Sequence, residues 1–340
     1  MPNQTTSDKI LIYASLASPA ICKFFHNHAN EKINRSEVQY GRHVFITGMA
    51  RAGTTSLLNS IFATGDFYSL TYKQLPFIFS PKANTWFDKV RDFSATPIYR
   101  AHFDNIKISL ESPEALDGMF WKIFDPVNAD YLTPRQVPYE ALDQYTDFVG
   151  YHLSHSNKTR YLSKMNQNLF RVERLANLFK NSKILVLYRN PLEQAKSILA
   201  QHLNFQTLKR FDAFFLNALE HHEFGMLHKP FFKKKSKIIL GHVEYDLGYW
   251  LQQWCESYSY VLDLCERNNN VIPLPFNELA PENEIWKKIS NLIGSNIASG
   301  YFNPLKRNIK TAAEHKICDE NSSTIYEKLY ILTQERLQKL

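Results

Sequence analysis

The residues best placed by type and spacing to do chemistry lie between His43 and Phe62, HVFITGMARAGTTSLLNSIF. The apolar run Val44-Phe45-Ile46 predicts a buried strand. Gly48-Met49-Ala50-Arg51-Ala52-Gly53 then forms a turn, and Thr54-Thr55-Ser56 opens a segment with apolar residues at Leu57, Leu58, Ile61 and Phe62. That spacing is one face of a helix. Strand, glycine-bearing loop and hydroxyl-rich helix start are the parts that hold a phosphate. The first N–H groups of a helix lack partners within it, and its dipole favours an anion there. Gly48 and Gly53 are spaced as in a Walker A loop, yet Thr54 stands where that loop carries its lysine. The cation, Arg51, lies inside the loop instead, which fits an anhydride whose geometry differs from that of ATP.

The run ARAGTT resembles the 5'-phosphosulfate loop of the sulfotransferase family, a basic residue and a small residue followed by Gly-Thr-Thr. The segment YRNPLEQAKSIL resembles the same family's second signature, an Arg at a strand end, a Pro two residues on and a Ser eight residues after the Arg. Here these are Arg189, Pro191 and Ser197. The likeness covers roughly residues 41–300, and LTYKQLPFIFSP, SPEALDGMFW and LEHHEFG look more loosely like polysaccharide-type bacterial members. The resemblance implies an α/β fold of P-loop-like sulfotransferase architecture, with a central, mostly parallel sheet flanked by helices. It implies in-line sulfuryl transfer from 3'-phosphoadenosine 5'-phosphosulfate to an acceptor hydroxyl or amine. Arg51, Ala52, Gly53, Thr54, Thr55 and Ser56 would then hold the 5' end of the donor, and Arg189 and Ser197 its 3'-phosphate. A planar guanidinium fork suits a phosphate, and a strand end and the second turn of the next helix can converge on one oxyanion.

A sulfuryl group carries less charge than a phosphoryl group, so the resemblance requires no metal, and the sequence offers no convincing carboxylate pair for Mg2+. Charge on the departing bridging oxygen must be met by preorganised donors. Arg51 and the N–H groups of Gly53, Thr54 and Thr55 are candidates. Lys164, in YLSKMNQN, resembles the lysine that precedes the second signature in related sulfotransferases and is expected as a second cation; a solvated surface lysine is the competing reading. The acceptor proton needs a base. Several relatives place an acid in the loop after the first helix, where this chain has Lys73-Gln74, and Gln74 cannot serve. Glu111 is the first choice, Glu114 the second and His102 the third; Glu114 could instead complement a helix dipole. His221-His222-Glu223 contains adjacent histidines that would point apart on a helix, so packing or acceptor contact is expected there rather than a metal. Lys233-Lys234-Lys235 reads as a solvated face or a guide for an anionic acceptor.

These residues need positioning elements. One or two helices are expected over residues 9–40, and the first βα unit over 43–63. Residues 68–81 form a loop beside the first strand's C-terminal end, where ligands bind in open parallel sheets. Ile106–Leu110 is expected as a strand ending at Glu111, with Ser112 and Pro113 starting a helix. Residues 122–140 are Pro-rich and irregular, 139–153 helical, 161–164 a short strand, and Leu169 to Leu178 a helix face. Lys183–Tyr188 is the cleanest strand and runs into a helix to about Leu199. Strands alternating with helices imply βαβ units. Helical period recurs over 211–228, 250–262, 283–293 and 323–338, with strands at 237–240 and 271–276, the last broken by prolines and so an edge or a strand end. The Trp/Tyr stripe at 250–262 is expected in the core.

The 340-residue chain suits an N-terminal helical segment, 1–40, packed on a single domain, 41–340, in which 68–160 supplies acceptor-binding excursions. A net charge of +7 without a long basic block points to an anionic cofactor or substrate rather than nucleic acid. Cys22, Cys255, Cys265 and Cys318 lack metal or framework spacing and read as reduced thiols, which favours the cytoplasm. Residues 10–25 are too short and mixed to span a membrane, so a packed helix is expected, with membrane-surface contact as the second reading. The acceptor is expected to be a carbohydrate or polysaccharide hydroxyl. A P-loop kinase and a non-catalytic nucleotide- or polyanion-binding protein are the alternatives, and oligomeric state is not encoded in any readable pattern.

Overall fold

Val44–Thr47 (β1) is the centre of a four-stranded parallel sheet of order β4-β1-β5-β6, where β4 is Leu162–Lys164, β5 Lys183–Tyr188 and β6 Val271–Pro275. The computed structural model describes residues 6–29, 33–80, 98–99, 107–127, 129–207, 220–232, 243–281, 283–298 and 320–338. Val44 lies level with Leu162 on one side and Lys183 on the other. Every β1 residue is buried, as expected of a parallel strand covered on both faces. The chain leaves β1 for one side of the sheet and returns to the other, which opens a crevice at the C-terminal strand ends.

On one face Val44 and Ile46 pack against Leu57, Leu58 and Ile61 of α4 (Thr54–Phe62), with Trp286, Ile289 and Leu292 of Ile285–Ile293 beyond. Each fully buried aliphatic side chain contributes about 1.5–3 kcal/mol. On the other face Phe45 joins Tyr145 and Phe148 of Tyr139–Ser154, Phe120 of Asp117–Phe124, and Trp254 and Tyr258 of Leu247–Arg267. The Trp/Tyr stripe is therefore core, as its helical spacing predicts. β6 is an edge strand of the sheet, and Pro273 and Pro275 fall there because an edge tolerates a missing N–H. Thr333 of the helix Glu320–Gln338 donates to the Pro273 carbonyl at 3.0 Å and ties that helix to the edge.

Among the described residues three helices precede the sheet: α1 (Thr6–Leu16), α2 (Pro19–Ala29) and α3 (Arg35–Gln39). Pro19 begins α2 rather than breaking it, since the first helical position needs no N–H. Ile12, Leu16 and Cys22 join the core, while Ile10, Tyr13, Ile21, Phe24 and Phe25 are exposed.

Several local expectations are corrected. The segment before Glu111 does form a strand, but not one of the four-stranded sheet: Lys107–Ile108 (β3) pairs antiparallel with Ile98–Tyr99 (β2) in a separate two-stranded sheet. Ser112 and Pro113 do not start a helix; the helix Asp117–Phe124 (α5) begins four residues later, and Ser112 Oγ instead accepts from the Ser109 N–H at 2.9 Å. Pro113 bridges Thr71 antiparallel, so its stretch is held extended by a long-range partner. The Leu169–Leu178 face is split into a 3-10 segment, Asn166–Arg171, and α7, Val172–Leu178. Residues 220–228 are turns rather than helix, with positive φ at Glu220 and Gly225. His102, residues 211–219 of the expected helix, Lys233–Lys235, the strand expected at 237–240 and Cys318 lie outside the described residues.

Candidate functional site

The glycine-bearing loop leaves β1 at Gly48, whose φ is +136°. A Cβ there would lie 2.3 Å from the Leu187 carbonyl oxygen of β5, so the loop can pass this close to the neighbouring strand only as glycine. Arg51 also adopts a positive φ, 68°, and Gly53 at 86° precedes α4 without a side-chain cap. The helix start is thus not closed off by a capping side chain of its own, and Thr54 and Thr55 are buried at it. Ala52 is fully buried behind the loop and Ser56 is partly exposed on α4.

The loop is clamped by side chains from distant elements. Gln194 Nε2, on the helix Pro191–Gln206 (α8), donates to the Met49 and Ala50 carbonyls at 3.3 and 3.0 Å. The Met49 N–H donates to the Tyr258 hydroxyl, which itself donates to the Leu187 carbonyl at 2.7 Å. Asn166 accepts from Thr47 Oγ1 through its carbonyl and from Thr54 Oγ1 through its side chain, both at 3.0 Å. The end of β4 is thereby fixed to the start of α4.

The two sequence signatures meet. Arg51 Nε donates to Ser197 Oγ at 3.1 Å, joining the loop to the second turn of α8. Asn190 caps α8 and Pro191 opens it, as the motif's turn chemistry predicts. Arg189, at the end of β5, lies with its guanidinium 4.9 Å from the Phe276 ring centre and donates from Nε and NH2 to Glu193 Oε2, at 3.0 and 2.7 Å.

Lys164 closes β4 and is only 7% exposed, so it is not the solvated lysine of the competing reading. Its neighbour is Glu114, whose Oε1 lies 3.8 Å from Lys164 Nζ. Glu114 is 10% exposed and accepts from the Tyr72 hydroxyl at 2.5 Å and the Ala115 N–H at 2.8 Å. Backbone pairing explains the meeting: Tyr68 bridges Tyr161 beside β4, and Lys73 and Glu114 N–H groups then bond across to Leu110 and Leu70. Glu111 is elsewhere. It sits on a turn, 69% exposed, 3.4 Å from Lys73 Nζ. Gln74 has a structural task, its side-chain oxygen accepting from the Thr71 N–H and hydroxyl.

Glu223 joins this neighbourhood unannounced by spacing. Burial works to raise its pKa, but His221, 3.7 Å away, and then Lys164 outweigh that and hold it down at about 2. His222 turns the other way, 3.6 Å from Glu220. The signal available was the acid in LEHHEFG; the influence of Lys164 on it comes from across 59 positions of chain. Glu223 also lines a cavity that adjoins Gly48, Met49 and Ala50.

Among the described residues no group of three His, Cys, Asp or Glu side chains is arranged to hold a metal ion. No described helix is long and apolar enough to cross a membrane. Helix N–H groups without a side-chain cap, with Arg51, Arg189 and Lys164 around the strand ends, make a donor set suited to anionic groups.

A family described as "Sulfotransferase family" matches residues 43–229, the span from β1 through both signatures to the far side of Glu223. Solved structures similar to the chain include a sulfotransferase from Alicyclobacillus acidocaldarius, 14% identical, with 86% of this chain and 96% of that one covered and a TM-score of 0.43. Sulfotransferase STF9 from Mycobacterium avium is 14% identical over 86% of this chain and 68% of that one, with a TM-score of 0.45. Sulfotransferase STF1 from Mycobacterium tuberculosis H37Rv is 10% identical over 96% and 84%, with a TM-score of 0.43. None of the curated proteins compared with the chain matches it.

Proposed function

The chain belongs to the sulfotransferase family, and we propose that it moves a sulfuryl group from 3'-phosphoadenosine 5'-phosphosulfate to an acceptor hydroxyl on a carbohydrate or polysaccharide. The observation that carries this reading is the 3.1 Å contact between Arg51 and Ser197. It brings a loop that resembles a phosphosulfate loop beside a signature that resembles a 3'-phosphate site, so that one nucleotide could touch both. The residues from Arg51 to Ser56 bind the 5' end, and Arg189 and Ser197 the 3'-phosphate.

In this reading the acceptor oxygen forms a bond to sulfur as the bond from sulfur to the bridging oxygen breaks. Arg51 and Lys164 stabilise the charge that gathers on the departing oxygen. Glu114 takes the acceptor proton, directly or through one water, and 3'-phosphoadenosine 5'-phosphate leaves. Glu114 is preferred over Glu111 because it lies beside Lys164, whereas Glu111 is turned to solvent with Lys73. The buried cysteines Cys22 and Cys265, which form no disulfide among the described residues, suit a reducing compartment, which in this reading is the cytoplasm.

Calorimetry tests the donor. Without metal, wild-type protein should bind 3'-phosphoadenosine 5'-phosphate and Arg189→Ala should lose that binding. A preference for Mg-ATP would instead favour a kinase.

A further inference from the structure

Glu114 can take a proton only as an anion, and burial disfavours the anion. Neighbouring donors and a cation offset that. The Ala115 N–H donates to Oε1 at 2.8 Å, and Lys164 Nζ lies 3.8 Å from the same oxygen. The Tyr72 hydroxyl donates to Oε2 at 2.5 Å, so Tyr72 holds the oxygen other than the one nearest Lys164. Hydrogen bonds to an ionised carboxylate are among the short and strong ones.

Tyr72 is itself placed by the backbone. It opens the 3-10 turn Tyr72–Gln74. Its N–H donates to the Ser112 carbonyl at 3.3 Å, the Lys73 N–H to the Leu110 carbonyl at 2.9 Å, and the Glu114 N–H returns to the Leu70 carbonyl at 3.0 Å. Gln74 closes the turn. Its N–H donates to the Thr71 carbonyl at 3.0 Å, and its side-chain oxygen accepts from the Thr71 N–H and hydroxyl at 2.6 and 2.9 Å. Successive residues of the turn then serve different acids: Tyr72, 5% exposed, is turned in to Glu114, and Lys73 pairs with the exposed Glu111. We propose that Tyr72 is a positioning residue for sulfuryl transfer, acting through Glu114, and that Gln74 holds the turn that presents it. Backbone bonds already join residues 70–73 to 110–114, so the phenol is not needed to link the two segments. What it adds is a fixed orientation and a retained charge at the carboxylate head, the preorganisation that a proton acceptor needs. The inference rests on the proposed role of Glu114 as the base.

Tyr72→Phe tests this, because it keeps the ring in the core and removes only the hydroxyl. In protein labelled with 13C at the glutamate side-chain carboxyls, the Glu114 signal is the one lost in Glu114→Gln. Its titration should move up by about one pH unit in Tyr72→Phe, since losing a donor favours the protonated form. The Glu111 signal should not move. Turnover is read as 3'-phosphoadenosine 5'-phosphate released from the donor, with water as the acceptor. Tyr72→Phe should lower kcat about tenfold with KM for the donor unchanged, and should cost nothing more in the Glu114→Gln background. An unmoved Glu114 titration, or equal losses in both backgrounds, would overturn the role of Tyr72 and leave the base assignment standing. Wild-type turnover in Glu114→Gln would sink the base assignment, and the positioning role with it. Should water give no measurable rate, the titration decides alone.

Discussion

Arg51 Nε and Ser197 Oγ lie 3.1 Å apart although 146 positions of chain separate them. One belongs to the loop after β1 and the other to the helix after β5, strands that are hydrogen-bonded neighbours. If both side chains serve one nucleotide, Ser197→Ala should weaken 3'-phosphoadenosine 5'-phosphate by about tenfold, the worth of a hydrogen bond to a charged group. Adenosine 5'-phosphate, which lacks the 3' group, should be unaffected. Equal losses for both nucleotides would show that Ser197 acts only by holding the loop.

Glu193 occupies the guanidinium fork of Arg189. A 3'-phosphate must displace it or accept its repulsion. The pair is partly exposed and so costs little to break, up to about 1 kcal/mol. Glu193→Gln should therefore tighten the 3'-phosphorylated nucleotide by about threefold to fivefold, the direction opposite to Arg189→Ala. Weaker binding in Glu193→Gln would mean that the carboxylate aims Arg189 rather than competing for it.

The acid beside Lys164 and the acid on the exposed turn are separable by kinetics. Glu114→Gln should lower kcat about 100-fold or more with nucleotide affinity retained, as expected for loss of a general base. Glu111→Gln should stay within about twofold, because its ion pair with Lys73 is exposed. The reverse ranking in a sulfate-transfer assay would return the base to Glu111.

Buried histidines, His26, His43 and His152 among them, make stability depend on pH. Burial pushes His26, His43 and His152 down to about 4, 4 and 3. His43 is held neutral by geometry as well, since Nδ1 accepts from the Tyr161 N–H and Nε2 donates to the Val38 carbonyl. Unfolding lets each return to about 6.5, so the unfolded chain binds more protons. Their stabilisation is complete above that value and is lost as pH falls toward 4, by about 1.4 kcal/mol per pH unit for each histidine within the window. Urea midpoints should fall between pH 7 and pH 5; a flat profile would contradict the burial of these rings.

Gly48→Ala would place a Cβ against the Leu187 carbonyl at a φ that L residues rarely adopt. A loss of about 3 kcal/mol or more is expected from the clash and strain together. Thermal melting of the variant measures it, and a Tm near wild type would mean that the loop relaxes away from β5.

The sequence by itself determined the local chemistry. Val44 to Phe62 reads as strand, loop and helix, and Tyr188 to Leu199 as strand end, cap and helix, because hydrophobic period, glycines and proline act over a few residues. The Trp/Tyr stripe and the proline-bearing edge strand were legible for the same reason. The neighbourhood of Lys164 was not. Ile106 to Glu111 has the composition of a sheet strand, and Ser112-Pro113 that of a helix start, yet residues 70–73 bond across to 110–114 and hold that stretch as a turn followed by a bridge. That pairing puts Glu114 beside Lys164 and leaves Glu111 on a turn. Glu223 comes under the charge of the same lysine from a segment whose helical period is overridden at Glu220 and Gly225 by positive φ. Propensity and spacing report neighbours along the chain. Which carboxylate shares a low-dielectric site with a cation is decided by contacts between segments dozens of residues apart, and those exist only once the sheet has assembled.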